Sequence, residues 1–469
     1  MPGESVGLSR SAVTACETFM RMTVPTSRGA VRTARDAGLP HDISLAGVNA
    51  FVAPLDRATS ADPDASRDCS AQVQPSAQIT VEIACGNRLS AIDADWRDLT
   101  TRADACNVFM HPQLLGRAGD TNAGRRHIAL LAWQSLGDAQ RLVGLWAFAI
   151  RRAPQSALPV SVLSAPPVPH GYLATPVVDR DHLDAALAAM LDRIAGDGRL
   201  PRIVALDAMG ADGATMQALA RVLAARRSTP CFFGRTQRPK LASQLDGKQY
   251  LEQALSGSTR KKLRQQRRKL GEKGALESQR IAEPEAVCAA FEEFLRLEAS
   301  GWKGQQGTAL LNDAADAAFA RAMIAELALR GEAEIHALTL DGRPVSMQIV
   351  LHAGPAAFTW KTAYDETAQD FSPGMLLFED YTAAFLADGR IGHVDSCAFD
   401  DSGYMAAWRE RQAIAHLWFD ARRGGSLGFD AVARIQKGFL WLRAHTKALY
   451  LASKHRRWRL AFRGITRSA

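Results

Sequence analysis

The segment Phe371-Ser372-Pro373-Gly374-Met375-Leu376-Leu377-Phe378 joins a strand-like run to a helix through a turn suited to holding a phosphate. Upstream, Phe358, Trp360, Thr362 and Tyr364 alternate with smaller or polar residues, the period of two of a strand with one buried face. Downstream, Met375, Leu376, Phe378 or Glu379, Thr382 and Phe385 or Leu386 recur at helical spacing until Asp388-Gly389. Ser372 falls at the N-cap and Pro373 at the first helical position, where its missing N–H costs nothing. Gly374 leaves room for a ligand. A helix start of this kind presents unpaired N–H groups and the positive end of the helix dipole, which favour an anion such as pyrophosphate. An ordinary capped helix is the alternative reading of the same residues.

The chain has 469 residues, enough for two or three domains with cores of their own. Its apolar fraction of 47% and charged fraction of 23% are those of a soluble globular protein. The net charge of +8 favours an anionic ligand or surface. Seven scattered cysteines without a C-x-x-C pair speak against zinc ribbons and disulfide frameworks and for a reducing compartment. No window approaches the roughly 18 uninterrupted apolar residues of a membrane span. The amino terminus lacks a secretory pattern, so a cytoplasmic location is expected.

Residues 1–77 read as a largely disordered segment with one short helix around Ala12 to Met22. From Ile79 the pattern predicts strand, helix, a strand hairpin through Gly137-Asp138, strand, helix, strand, helix and a last short strand at Cys231–Phe233. A basic helix from Tyr250 to Leu270 follows, and then the same order returns. It comprises helices at Pro284–Leu297 and Ala314–Leu329, a hairpin through Asp341-Gly342, the strand Phe358–Tyr364, the helix after Ser372, the strand Ile391–Asp395, a helix from Tyr404, the strand Ile414–Phe419 and a long helix Phe429–Ala444. The expected fold class is therefore mixed α/β in two similar units, residues 78–247 and 248–453, followed by a basic tail at 454–469.

Residues 256–395 resemble the acetyltransferase-like domain of the GNAT superfamily found in CelD-like cellulose-biosynthesis proteins, a relative of the FemABX aminoacyl transferases. The features that carry the resemblance are Arg260-Lys261-Lys262-Leu263-Arg264 with the basic run to Leu270, then Gly274, then Leu297-Glu298-Ala299-Ser300-Gly301-Trp302-Lys303-Gly304. Leu340-Asp341-Gly342-Arg343-Pro344-Val345, Tyr364-Asp365, Ser372-Pro373-Gly374 and His393-Val394-Asp395 follow in order. The resemblance implies two tandem GNAT-like domains, each a mixed twisted sheet flanked by helices. It also implies N- or O-acyl transfer from acetyl- or other acyl-coenzyme A, a co-substrate rather than a tightly bound cofactor, to a small-molecule or saccharide acceptor. The setting it suggests is bacterial cellulose, exopolysaccharide or envelope biosynthesis. A FemABX-like transferase using charged tRNA and a non-catalytic scaffold are the alternatives. The coenzyme A pyrophosphate would rest on Ser372, Pro373, Gly374, Met375 and Leu376, although the usual glycine-rich loop is here Asp370-Phe371-Ser372-Pro373-Gly374.

Acyl transfer needs a base for the acceptor's proton and an acid for the leaving thiolate. Asp395, Tyr404 and Lys361 are the candidates at strand ends and first turns, with His393 and Glu379 nearby. Asp395 reads equally as a loop carboxylate. Trp302, Lys303 and Tyr364 are the candidate substrate contacts, although a tryptophan in Trp302's place is more often a core plug than a substrate platform. Lys361 and Tyr364 lie an odd number of residues apart on one strand, so at most one faces a common cleft. Cys397 is not expected as a nucleophile. The basic run at 260–273 reads as a solvated helix or a phosphate contact, without the interleaved aromatics of a nucleic-acid platform. The tail from Lys454 to Arg463 reads as frayed or as a weak membrane-surface contact. No metal site and a monomer are expected.

Overall fold

A computed structural model describes residues 78–121, 126–153 and 156–465; the expectations for residues 1–77 lie outside the described residues. In the first half, strand β1 (Ile79–Ala84) leads to helices α1 (Asn87–Ser90), α2 (Asp93–Arg102) and α3 (Pro112–Thr121). Strands β2 (Arg126–Leu136), β3 (Ala139–Arg152) and β4 (Ser161–Ala165) follow, then the short β5 (Val177–Val178), helix α4 (Leu183–Gly196), β6 (Ile203–Gly210), α5 (Ala214–Ala225) and β7 (Cys231–Leu241). Helices α6 (Gly247–Ala254) and α7 (Gly257–Gly271) connect the halves. The second half runs β8 (Leu276–Ile281), α8 (Pro284–Ser300), α9 (Trp302–Gln305), α10 (Ala314–Leu329), β9 (Ala333–Leu340), β10 (Arg343–Ala353) and β11 (Ala356–Tyr364). It closes with α11 (Pro373–Ala387), β12 (His393–Asp395), β13 (Glu410–Asp420) and α12 (Leu427–Ile465).

The strands form one sheet in the order β1-β2-β3-β4-β6-β13-β7-β12-β11-β10-β9-β8, with β5 set against β3. Each half contributes an antiparallel run of four strands, and its fourth strand pairs in parallel with its fifth: β4 with β6, and β11 with β12. The last strands are exchanged. β7, from the first half, lies against β12, and β13, from the second, lies against β6, so the pair β7–β13 sits at the centre of the sheet. The repeated element order read from the sequence is thus a repeated mixed sheet flanked by helices, fused through its exchanged strands.

Local chemistry explains most elements. Asp341 and Gly342 both take positive φ, 50° and 75°, the two left-handed positions of a tight hairpin turn between β9 and β10. Helix α10 is capped by the Asp313 carboxylate, which accepts the N–H groups of Ala315 and Asp316. The basic helix expected to run unbroken from Tyr250 is cut after Leu255, because Ser256 accepts the Thr259 N–H and caps α7 afresh. The helix expected from Tyr404 is only a 3₁₀ turn to Ala407: Trp408 is fully buried, its indole N–H bonded to Thr382, and the chain turns directly into β13. β7 is longer than its apolar start suggests, since its polar half, Arg235 to Lys240, is paired along its length with β13, and β12 joins on the other side at Lys240 and Leu241. Helix α12 runs through residue 454 without a break, where the sequence suggested that a tail begins.

Candidate functional site

Beyond Phe358 and Asp395 the parallel pair β11–β12 comes apart. Three residues of each strand are in register, Ala356 with His393 through Phe358 with Asp395, after which β12 ends and β11 continues alone on that side to Tyr364. A strand edge left unpaired inside a sheet must find other partners or a ligand. From Tyr364 the chain makes a 3₁₀ turn, Glu366–Phe371, and enters α11 at Ser372.

Ser372 occupies the N-cap position in the left-handed region, φ 51° and ψ 52°, without capping the helix through its side chain. Its hydroxyl instead accepts a hydrogen bond from Gln266 of α7 at 3.0 Å, and the same amide group donates to the Asp370 carbonyl at 2.9 Å. Gln266 is buried with Leu263 and Leu270, so α7 lies directly over the turn. The N–H groups of Met375 and Leu376 both point back to the Ser372 carbonyl, and Pro373 has none. Fewer N–H groups are therefore open than the sequence suggested. Gly374 is the donor left in the first turn, and a Cβ built there meets nothing within 4 Å. Around it, Arg267 donates to the Leu376 carbonyl and to Asp380, Lys273 lies 4.8 Å from the centre of the Phe371 ring, and Lys261, Lys262, Arg264 and Lys269 are exposed on α7. These cations set the positive potential of the turn.

A pocket of about 190 Å³ opens at the free edge of β11, lined by Glu298, Trp302, Lys303, Thr362, Tyr364 and Tyr404 among others. Four residues singled out from sequence meet there: Trp302, Lys303, Tyr364 and Tyr404. Helix α9 holds the first two. Its tight start depends on Gly304, where a Cβ would strike the Ala299 carbonyl, and on the Trp302 N–H donating to Glu366 at 2.6 Å. Burial pushes the Tyr404 phenol above its ordinary range, against opposing hydrogen bonds from Thr362 and Tyr381, so it keeps its proton at neutral pH.

Sequence reasoning missed Glu298. Its carboxylate is buried, takes Lys303 at 3.1 Å and the Leu310 N–H at 2.9 Å, and has the Lys361 ammonium 4.0 Å away. Burial raises its pKa, but the charges of Lys361 and Lys303 and the Leu310 bond outweigh this and hold it below the usual range. The signal was present. Phe291, Phe294, Leu295 and Glu298 follow one helical stripe, and a carboxylate on an apolar stripe must have partners. Lys361 does not line the pocket and stands behind Glu298; burial brings it down to about 8 against the pull of Glu298.

Asp395 is elsewhere. It faces a second cleft, of about 280 Å³, lined also by Asp104, Thr215, Lys240, His393 and Arg411 at the junction of the two halves. Its carboxylate is engaged by Arg238 of β7 at 3.1 and 3.3 Å and by the Cys397 N–H at 2.7 Å, all of them buried. The sequence grouped Asp395, Tyr404 and Lys361 together, whereas the fold puts Asp395 where the exchanged strand β7 meets β12. His393, in the same cleft, is brought to about 4 by burial and by Lys240, and is neutral. Burial pushes the Cys397 thiol far up, which suits no nucleophile.

Residues 257–404, from the start of α7 to Tyr404, match the family model described as the acetyltransferase (GNAT) domain. No curated protein matches the chain. Among solved structures, the crystal structure of FemX is similar at 12% identity and a TM-score of 0.47, over 73% of this chain and 97% of that one. The C-terminal domain of a lysylphosphatidylglycerol synthetase from Agrobacterium fabrum is similar at 10% identity and a TM-score of 0.42, over 75% and 97%. A tandem GNAT protein from clavulanic acid biosynthesis is similar at 13% identity and a TM-score of 0.38, over 73% and 98%. The pocket residues Glu298, Trp302, Lys303, Tyr364 and Tyr404 all fall inside the segment that matches the acetyltransferase (GNAT) domain model.

Proposed function

We propose that the protein transfers an acyl group from acyl-coenzyme A to an amine or hydroxyl of a polar acceptor, with the donor threaded through the gap between β11 and β12. The observation that carries this reading is the free edge of β11, with an anion-ready helix start at one side and a pocket holding a protonated tyrosine at the other. The pyrophosphate would lie at Ser372–Leu376 under the cations of α7, and the acyl group at Thr362–Tyr364. The acceptor would enter beside Trp302 and Lys303. As its nucleophilic atom bonds to the acyl carbon and the carbon–sulfur bond breaks, Tyr404 gives its proton to the leaving thiolate. The acceptor's proton passes to the Glu298 carboxylate, the unprotonated member of the Glu298–Lys303–Lys361 group, while Lys361, brought down to about 8, remains mainly the ammonium beside it at neutral pH. Asp395 keeps the two halves in register. A saccharide or envelope-polymer precursor is the acceptor class we favour.

Calorimetry with purified protein and acetyl-coenzyme A tests the donor. Binding is expected, and Gly374→Asp should weaken it at least about tenfold without changing the melting temperature, since the new carboxylate has open space but opposes an anion. Absence of binding to the unmodified protein would overturn the reading. Acyl transfer that requires charged tRNA would replace acyl-coenzyme A as the donor.

A further inference from the structure

Helix α12 has 39 residues and so extends about 58 Å, and its first turns are packed on the sheet. Phe429 and Ala433 are buried against Val162, Ala205 and Trp418, and Gln436 beside them accepts the Ala157 N–H. On another face Ile435, Phe439 and Leu442, at i, i+4 and i+7, are 48%, 37% and 56% exposed, with Trp441 beside them at 61%. Large apolar side chains at helical spacing that stay exposed among the described residues mark a surface that meets something. The composition indicates what. After Asp430 the chain has ten Lys or Arg and no Asp or Glu, more positive charge than the +8 of the whole protein, with Tyr450, Trp458 and Phe462 interleaved.

We infer that α12 is a membrane-surface helix that docks the protein on a bilayer rich in anionic lipid. A second copy of so basic a helix would be repelled. A nucleic acid would satisfy the cations but offer nothing to Ile435 and Leu442, whereas a bilayer interface takes both: acidic headgroups pair with Lys and Arg, and Trp, Phe and Leu sink to the acyl boundary. Among the described residues no helix is long and apolar enough to cross a membrane, so α12 lies on the surface. The inference does not depend on the proposed chemistry.

Sedimentation of the full chain with lipid vesicles tests it. Vesicles of phosphatidylcholine mixed with phosphatidylglycerol should carry the protein down, and phosphatidylcholine alone should not. Replacing Arg456, Arg457 and Arg459 together by Glu should lower the partition coefficient at least about tenfold, each lost cation counting severalfold. Leu442→Glu, an exposed position whose change leaves the melting temperature alone, should lower it severalfold through lost insertion. Equal binding to both vesicles, no binding to the anionic ones, or either variant sedimenting like the unmodified chain would overturn it. So would tighter binding to polyuridylate than to anionic vesicles, or self-association abolished by Leu442→Glu.

Discussion

The two halves repeat one arrangement of strands but treat the place where the parallel pair separates in opposite ways. In the first half β4 and β6 part after Ala165 and Leu206, and the chain turns back over the exposed edge. The Ala174 N–H donates to the Ala208 carbonyl, the Gly210 N–H donates to the Thr175 hydroxyl, and the Asn107 amide ties down the carbonyls of Leu173 and Thr175. Leu173 and Ala174 are buried. The residues that follow β4 include Pro166, Pro167 and Pro169, which have no N–H for an anion. In the second half the chain leaves β11 through the 3₁₀ turn Glu366–Phe371 to a helix start, the edge beyond Phe358 has no strand partner and its Thr362 carbonyl takes the Lys303 ammonium at 2.7 Å, and a basic helix lies over the turn. A repeated fold keeps a binding gap only where the connection after the fourth strand neither fills the edge nor uses up its donors.

The closed gap still serves the open one. The loop carrying His170 reaches across to β11, where the His170 carbonyl accepts the Trp360 indole N–H at 2.9 Å and the imidazole meets Asp316 at 3.0 Å. Each half also holds a half-buried tyrosine near its gap, Tyr172 in the first and Tyr404 in the second, and desolvation raises both phenols. If the open gap alone is catalytic, Tyr404→Phe should lower kcat roughly 100-fold or more, the usual weight of a general acid, with donor affinity kept. Tyr172→Phe should leave kcat within about a factor of two. Steady-state kinetics on both variants decides this, and comparable losses would break the asymmetry.

A smaller effect separates the halves by pH. Lys361 is held at about 8, below its ordinary 10.5, so between these values the unfolded chain binds more protons than the folded one and stability rises with pH. The full gain is about 3 kcal/mol at 1.36 kcal/mol per pKa unit. Denaturant unfolding of Lys361→Met across this window should show that much less of a rise than the unmodified protein. An unchanged slope would mean that Lys361 is not the buried amine the pocket requires.

Features written in a few neighbouring residues were legible. The Asp341-Gly342 turn and helix α10 followed from local patterns and their order along the chain, and Trp302, Lys303, Tyr364 and Tyr404 were each singled out there, but that these four line one pocket was not read from the sequence. The strand exchange was not, because β7 pairs along a polar stretch, Arg235 to Lys240, whose stability comes from strands remote in sequence. That same exchange displaced Asp395 from the expected catalytic group, since Arg238 arrives on β7. The separation of Lys361 from Tyr364 did follow from strand alternation, but the buried Glu298 that joins Lys361 to the pocket needed the packed helix α8 to appear.

The smallest effect concerns Ser372 itself. A residue other than glycine in the left-handed region carries a backbone cost of about 1–2 kcal/mol, which the fold must offset. Ser372→Gly removes that cost but frees the unfolded chain and loses the bond from Gln266, each worth about 1 kcal/mol. Stability should then change by less than about 1 kcal/mol. Ser372→Ala keeps the cost and loses the bond, so it should melt lower than both the glycine variant and the unmodified protein. If the strained turn exists to aim the Gly374 N–H at the donor, Ser372→Gly should weaken acetyl-coenzyme A binding severalfold while leaving the melting temperature near its original value. His170→Gly, at the left-handed position of the closed gap, should leave that binding unchanged. Equal effects at the two positions would place the strain in the repeated fold rather than in the site.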